Sequence, residues 1–419
     1  MNISLNKVVN ALSISLDLAE TTSLQNLNVI EDISGVNYSK HKYSHHSKRT
    51  AFIALEIGKK LNISEESYHN LYIASMLHDI GAQSMLDEVH TSVEYIKKHC
   101  VEGAYMIQKI PALIQIYDII LYHHENYDGS GCMKLKNYLI PFEAQIIRLA
   151  DLLEVMFDEN VPIYKQKDSL IDWIKLHSGR LFCPTIVDCF LKLASSETFW
   201  LNLYNVPHMG FILDYIAPKK EKYVTLKEFE YIAEIFATII DSKSGFTAMH
   251  SRGIADLAFE VSKYVGYDEN KCLKMKIAGL LHDIGKLAIP ATILDKKDKL
   301  TEDEFSLIKS HTYYTKLILD RIELIPDISE WAANHHEKLN GAGYPRRLSA
   351  EHISEESKII GVCDIYQALT EDRPYRKGMY MYEAFQILDD MVRSEFICGN
   401  AVKSLKSTLI SKVEKNLST

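Results

Sequence analysis

Ten of the seventeen histidines in the chain fall into two ordered sets that repeat at nearly constant spacing. The first set is His46, His78, His99, His123 and His124; the second is His250, His282, His311, His335 and His336. In each set an aspartate directly follows the second histidine, at Asp79 and Asp283. Another comes after the double histidine, at Asp151 and Asp364. The copies lie 204 residues apart at His46/His250 and His78/His282, 212 apart at the double histidines, and 213 apart at the last aspartates. Imidazole and carboxylate together suit divalent Fe, Mn, Zn, Co or Ni. Five imidazoles and two carboxylates exceed the needs of one tetrahedral zinc. They fit two neighbouring ions, with Asp283 able to bridge them. Two such ions activate a bridging water to hydroxide, clamp a phosphate oxygen and stabilise an oxyanion leaving group. That chemistry hydrolyses a phosphate ester without a side-chain nucleophile. No Ser/His/Asp or Cys/His arrangement and no GxxxxGK[ST] loop competes with it.

Such residues must be carried by rigid elements. With 10 Pro and 18 Gly in 419 residues and long Leu/Ile/Lys/Glu-rich segments, the chain leans towards helix. After His46 and after His250 the apolar residues recur at three-to-four spacing, which predicts a helix in each place. In the second copy helices are expected at about 225–240, 250–266, 269–283, 302–320, 326–338, 354–369 and 380–395. Adjacent residues on a helix diverge by about 100°. His282-Asp283 and His335-His336 can therefore each face two ions. Strand signals are scarce, so the expected fold is all-α, two tandem helical bundles. The boundaries read as 1–205 for the first copy, 206–224 for a linker or bridging strand, and 225–419 for the second.

The length allows two domains. The net charge of -9 argues against binding a nucleic-acid polymer or an anionic membrane, while leaving room for a small anionic substrate held locally. The first twenty residues lack a basic n-region, and the apolar run at 113–122 contains an aspartate and is too short to span a bilayer. Seven cysteines without a CxxC pair fit free thiols in a reducing cytoplasm.

The His … His-Asp … Asp order resembles the HD superfamily of metal-dependent phosphohydrolases. The second copy is similar to an HD-GYP domain through HDIGKLAIP (282–290), LDKKDKLTEDEFSLIKSH (294–311), HHEKLNGAGYP (335–345) and CDIYQALTEDRPYR (363–376). The resemblance implies His250, His282, Asp283, His311, His335, His336 and Asp364 as ligands of two divalent ions, Fe or Mn. It implies Lys286 beside the scissile phosphate, with Asp283 sharing the catalytic role. Gly341, Gly343, Tyr344 and Pro345 would form a substrate-facing loop, and Arg373 and Arg376 would bind phosphate or a guanine edge. The implied activity is a cyclic-dinucleotide phosphodiesterase, with cyclic di-GMP ahead of cyclic GMP-AMP and a linear 5′-phosphorylated product. The alternatives are an HD phosphohydrolase acting on linear nucleotides and a non-catalytic nucleotide-binding scaffold. Two departures stand out: Phe246 where a third-metal glutamate occurs in some members, and Gln367 where an aspartate is common.

The first copy keeps His46, His78, Asp79, His99, His123, His124 and Asp151 but has Ala82 in place of Lys286, GSGCM in place of GAGYP, and no counterpart of EDRPYR. It resembles a degenerate HD domain, whose histidines either bind metal or persist as a structural cluster. Packing, sensing or homodimer formation would remain as its work.

Overall fold

The computed structural model describes residues 2–23, 36, 45–84, 92–243, 250–372 and 377–417. Among them are nineteen α-helices and one small antiparallel sheet, in which Asn2–Ser4 pairs with Tyr223–Thr225. The all-α expectation therefore holds. No helix among the described residues is long and apolar enough to cross a membrane.

The chain forms two compact units, Leu12–Lys222 and Tyr223–Thr419 together with Met1–Ala11. This division differs from the sequence boundaries at both ends of the first copy. The opening residues join the second unit because Ile3 pairs with Val224 and is fully buried. Within the expected linker, Phe211–Ile216 is a helix of the first unit that buries Ile212, Leu213 and Ile216.

Each unit repeats one packing scheme. In the second, His250–Val265 packs against Glu269–Leu281 and Glu355–Thr370, while Glu302–Leu319 packs against the 3-10 turn Ile284–Ala288. In the first, His46–Lys60 packs against Glu65–Leu77 and Phe142–Met156, while Val93–Gln108 packs against the 3-10 turn His78–Ser84. Local signals start these helices. Asp268, Ser354, Ser64 and Ser92 each accept a backbone N–H at a helix N-terminus. Thr301 and Glu304 form a capping box before the helix that carries His311.

Two expected helices stop early. The one expected at 269–283 ends at Leu281, and the one at 326–338 ends at Ala333. At each stop a histidine ring caps the helix end. His282 donates Nδ1–H to the Gly279 carbonyl at 2.7 Å, and His335 donates to Ala332 at 2.7 Å. Each ring takes a carbonyl that the ending helix leaves without a backbone donor. The adjacent pairs therefore sit in tight turns just past a helix end.

The His-Asp turn meets the next histidine helix with almost no gap. A Cβ on Gly285 would overlap the His311 carbonyl oxygen and lie 2.7 Å from the Thr315 nitrogen. Gly285 N–H donates to Thr315 Oγ1 at 3.1 Å, and that hydroxyl donates to the His282 carbonyl at 2.9 Å. Gly81 meets the His99 carbonyl in the same way in the first unit. Gly285→Ala should lower unfolding stability by about 2 kcal/mol or more, because backbone rather than a movable side chain blocks the new methyl. Urea denaturation measures this, with Gly266→Ala as a control, since a Cβ there meets open space and adds only the strain of its positive φ.

Candidate metal centre

In the second unit the seven expected ligands converge. Asp283 lies at the middle, with Oδ2 3.0 Å from His282 Nε2 and Oδ1 3.3 Å from His311 Nε2 and 3.9 Å from His335 Nε2. Its two oxygens thus face two histidine groups, as a bridging carboxylate must. Asp364 closes the other side, with Oδ1 3.4 Å from His250 Nε2 and Oδ2 3.8 Å from His336 Nδ1.

Hydrogen bonds set the tautomers. His282, His311 and His335 each donate Nδ1–H to a carbonyl three residues back, at 2.6 to 2.7 Å. Their Nε2 lone pairs are left pointing inward. The Nε2 atoms of His311 and His335 stand 3.3 Å apart. Two lone pairs so close repel one another unless a cation sits between them. Asp283 Oδ1 and His282 Nε2 are buried without a hydrogen-bond partner. A buried polar atom left so is costly, and a metal ion would satisfy both. The donor set therefore fits divalent metal on its own geometry.

Burial opposes the charge on Asp283, yet His282 and the Lys286 ammonium outweigh it and hold the carboxyl well below the usual range. Burial chiefly pushes His311 down to about 3 and also pushes His335 down, keeping both rings neutral as metal ligation requires. His250 is the exception: burial lowers it, but Asp364 and Glu371 win and raise it to about 9.

Lys286 Nζ lies 2.5 Å from Asp283 Oδ2, so the expected cation touches the central carboxylate. The Tyr344 ring stands 4.9 Å from the His336 ring, at the rim of the cluster. Gly341 has φ 75°, a conformation that favours glycine. Gly343 is buried against the Glu337 backbone, and Pro345 is exposed. Beside this loop is a cavity of about 670 Å³, lined by Gly341, Gly343, Tyr344 and Pro345 and by Lys309, Lys338 and Arg347. Arg373, Arg376 and Phe246 lie outside the described residues. Gln367 packs against Gly253, where a Cβ would come 2.5 Å from its amide nitrogen.

Several contributors escaped the sequence reading. Glu371 accepts from His250 Nδ1 at 3.0 Å and orients that ring. Asp241 accepts from the Ser251 hydroxyl at 2.7 Å and braces the helix that His250 begins; Asp17 accepts from the Ser47 hydroxyl at 2.6 Å and does the same for the helix that His46 begins. Glu337 accepts from the Arg346 and Leu348 nitrogens at 2.7 and 2.9 Å and anchors the exit of the glycine loop. Only the third residue of His-His-Glu, repeated at Glu125, hinted at that role.

The first unit gathers its set in the same way. Asp79 Oδ2 lies 3.2 Å from His46 Nε2 and 2.9 Å from His78 Nε2, and Oδ1 lies 3.3 Å from His99 Nε2. Asp151 Oδ1 is 3.5 Å from His46 Nε2, and His123 Nε2 is 3.1 Å from His99 Nε2. His124 instead bonds Arg148, NH1 to Nδ1, at 3.0 Å. Ala82 is buried and brings no cation.

A family model described as HD domain matches residues 33–180 and 234–397, one match in each half. A 3′3′-cGAMP-specific phosphodiesterase 1 of Vibrio cholerae is 32% identical over 371 residues, covering 84% of each chain. A second protein of that organism, 3′3′-cGAMP-specific phosphodiesterase 3, is 26% identical over 82% of this chain and 86% of its own. A cyclic di-GMP phosphodiesterase of Pseudomonas aeruginosa is 37% identical over 142 residues, 34% of each chain. The fold matches the crystal structure of the V. cholerae cyclic GMP-AMP phosphodiesterase V-cGAP3, with a TM-score of 0.65, 22% identity and 98% of both chains covered.

Removing the carboxylate that orients a metal-binding histidine weakens metal affinity about 10- to 100-fold. Glu371→Ala should do so here with the fold unchanged, measured by competition with a chromogenic chelator.

Proposed function

The chain belongs to the HD domain family, and we propose that its C-terminal unit is an HD-GYP phosphodiesterase that opens a cyclic dinucleotide to a linear 5′-phosphorylated product. One observation carries this reading: inward histidine lone pairs meet a carboxylate at Asp283, with Lys286 on that carboxylate and a basic cavity alongside. Two relatives alignable over more than four-fifths of the chain are named for 3′3′-cGAMP, whereas the Pseudomonas cyclic di-GMP enzyme aligns over a third. This supports 3′3′-cGAMP as the first substrate and cyclic di-GMP as the second, reversing the order expected from sequence.

Two divalent ions, Fe or Mn, would be held by His250, His282, Asp283 and Asp364 on one side and by Asp283, His311, His335 and His336 on the other. When bound, they supply Lewis-acid polarisation of the phosphate and an activated water. The protein does the rest. Lys286, kept protonated by Asp283 against the effect of burial, lies where it can offset charge on the phosphorane-like transition state. Lys309, Lys338 and Arg347 draw the dianionic ring into the cavity beside Tyr344, whose ring offers a base a face to stack on. His311, His335 and His336, held neutral by burial, keep their lone pairs for ligation at physiological pH. The enzyme would work in the cytoplasm, where the second messenger is found.

Protein purified anaerobically and loaded with Fe or Mn should cleave both cyclic dinucleotides, 3′3′-cGAMP with the higher kcat/KM. Binding of both without turnover would overturn the reading and favour a scaffold. His282→Ala or Asp283→Ala should lower turnover by about a thousandfold or more, and Lys286→Ala by about a hundredfold, with helical circular dichroism retained. In an Asp283→Ala background, Ala82→Lys should not restore turnover, because GSGCM still replaces the tyrosine loop; liquid chromatography of the products checks this.

A further inference from the structure

The two units differ most sharply where one has glycine and the other a buried arginine. Shifting by the repeat offset of 213 places Arg148 at Gly361 and Glu154 at Gln367; the offset of 204 places Arg49 at Gly253. Arg148 and Arg49 are 1% and 3% exposed. At Gly361 the second unit has no space for a side chain, since a Cβ would come 2.7 Å from the His335 carbonyl oxygen.

We propose that Arg148 is a built-in cation that closes the histidine-rich half of the N-terminal cluster to metal, so that this unit holds at most one divalent ion where the C-terminal unit has ligands for two. A guanidinium only donates, and a neutral imidazole has one lone pair. Arg148 NH1 donates to His124 Nδ1 at 3.0 Å, so that lone pair is already used and Nε2 carries the proton. In the second unit the matching atom, His336 Nδ1, instead faces Asp364 Oδ2 at 3.8 Å. Arg148 is also firmly placed, since its Nε and NH2 donate to Asn126 Oδ1 at 3.3 and 3.2 Å. A second ion among Asp79, His99 and His123 would therefore lack His124 and sit beside a fixed, buried positive charge.

The other half stays open. His46 donates Nδ1–H to Glu154 at 2.5 Å and His78 donates to the Ser75 carbonyl at 3.0 Å. Their Nε2 atoms face each other across 3.0 Å, beside Asp79 and Asp151. Glu154 in turn pairs with Arg49, NH1 to Oε1 at 3.4 Å. This inference concerns the N-terminal unit and does not depend on which substrate the C-terminal unit cleaves.

The test uses the full chain with both C-terminal sites disabled by His282→Ala, Asp283→Ala, His311→Ala and His335→Ala, loaded with Mn²⁺ alone. Elemental analysis should find no more than one equivalent of Mn per chain. Electron paramagnetic resonance should show no exchange-coupled Mn pair. Two equivalents, or a coupled signal, would overturn the proposal. Adding Arg148→Met, which removes the charge and frees the His124 lone pair, should raise the bound Mn by one equivalent. A folded variant that gains none would also overturn it. Should that variant fail to fold, the resonance spectrum with Arg148 intact still decides.

Discussion

A neutral imidazole has a single N–H, and the atom to which it donates that proton decides which way its lone pair faces. Five of the clustered histidines donate Nδ1–H to the carbonyl three residues back: His78 and His123 in the first unit, and His282, His311 and His335 in the second. At His282 and His335 the bond falls at a helix end and caps its carbonyl, whereas His311 makes the same bond inside Glu302–Leu319 and that helix runs on. The cluster needs no separate device to orient these rings, only a backbone carbonyl three residues back and a glycine that lets the His-Asp turn touch its neighbour.

That economy accounts for the gathered set in a unit that lacks counterparts of Lys286 and of the GAGYP loop. Removing His78 or His123 would leave a helix end without its cap, and removing His78 would also strip a neighbour from the buried Asp79 carboxylate. The N-terminal unit differs instead at its periphery. Where the C-terminal unit has Gly253, Gly361 and Gln367 it carries Arg49, Arg148 and Glu154, and their ion pairs and hydrogen bonds tie the rings to the protein itself. In the C-terminal unit Gly253 and Gly361 keep the same places free of charge, and His250 takes its carboxylate partner from Glu371.

Repeat offsets alone located the seven converging residues in each unit, because ligand type and order survive in a bare sequence. Helical periodicity placed most of the supporting helices to within a few residues. What stayed hidden depends on distances that sequence spacing does not encode. Glu371 is 121 residues from His250, and Arg148 is 24 from His124 with a loop between. Read from sequence, Glu371 is an ordinary charged residue at a helix end and Arg148 an ordinary one in mid-helix. The early helix stops were hidden for a different reason: periodicity shows where an apolar face continues, and it is blind to a side chain that takes over a backbone carbonyl.

The double-histidine segment shows how far two copies can diverge around one anchor. Glu337 accepts from the Arg346 and Leu348 nitrogens, and Glu125 accepts from the Met133 and Leu135 nitrogens at 2.6 Å. The same buried carboxylate therefore holds the exit of both glycine loops, whether the loop reads GAGYP or GSGCM. Because that anchorage lies in the backbone, the residues between the anchors could change without loss of the turn. Tyr344 then stands beside His336 at the edge of a basic cavity, whereas Cys132 packs into an apolar cluster with Ile96 and Cys100. The same anchored turn thus presents an aromatic rim in one unit and a buried thiol in the other, so the shape of the loop and the surface it offers are set by different residues.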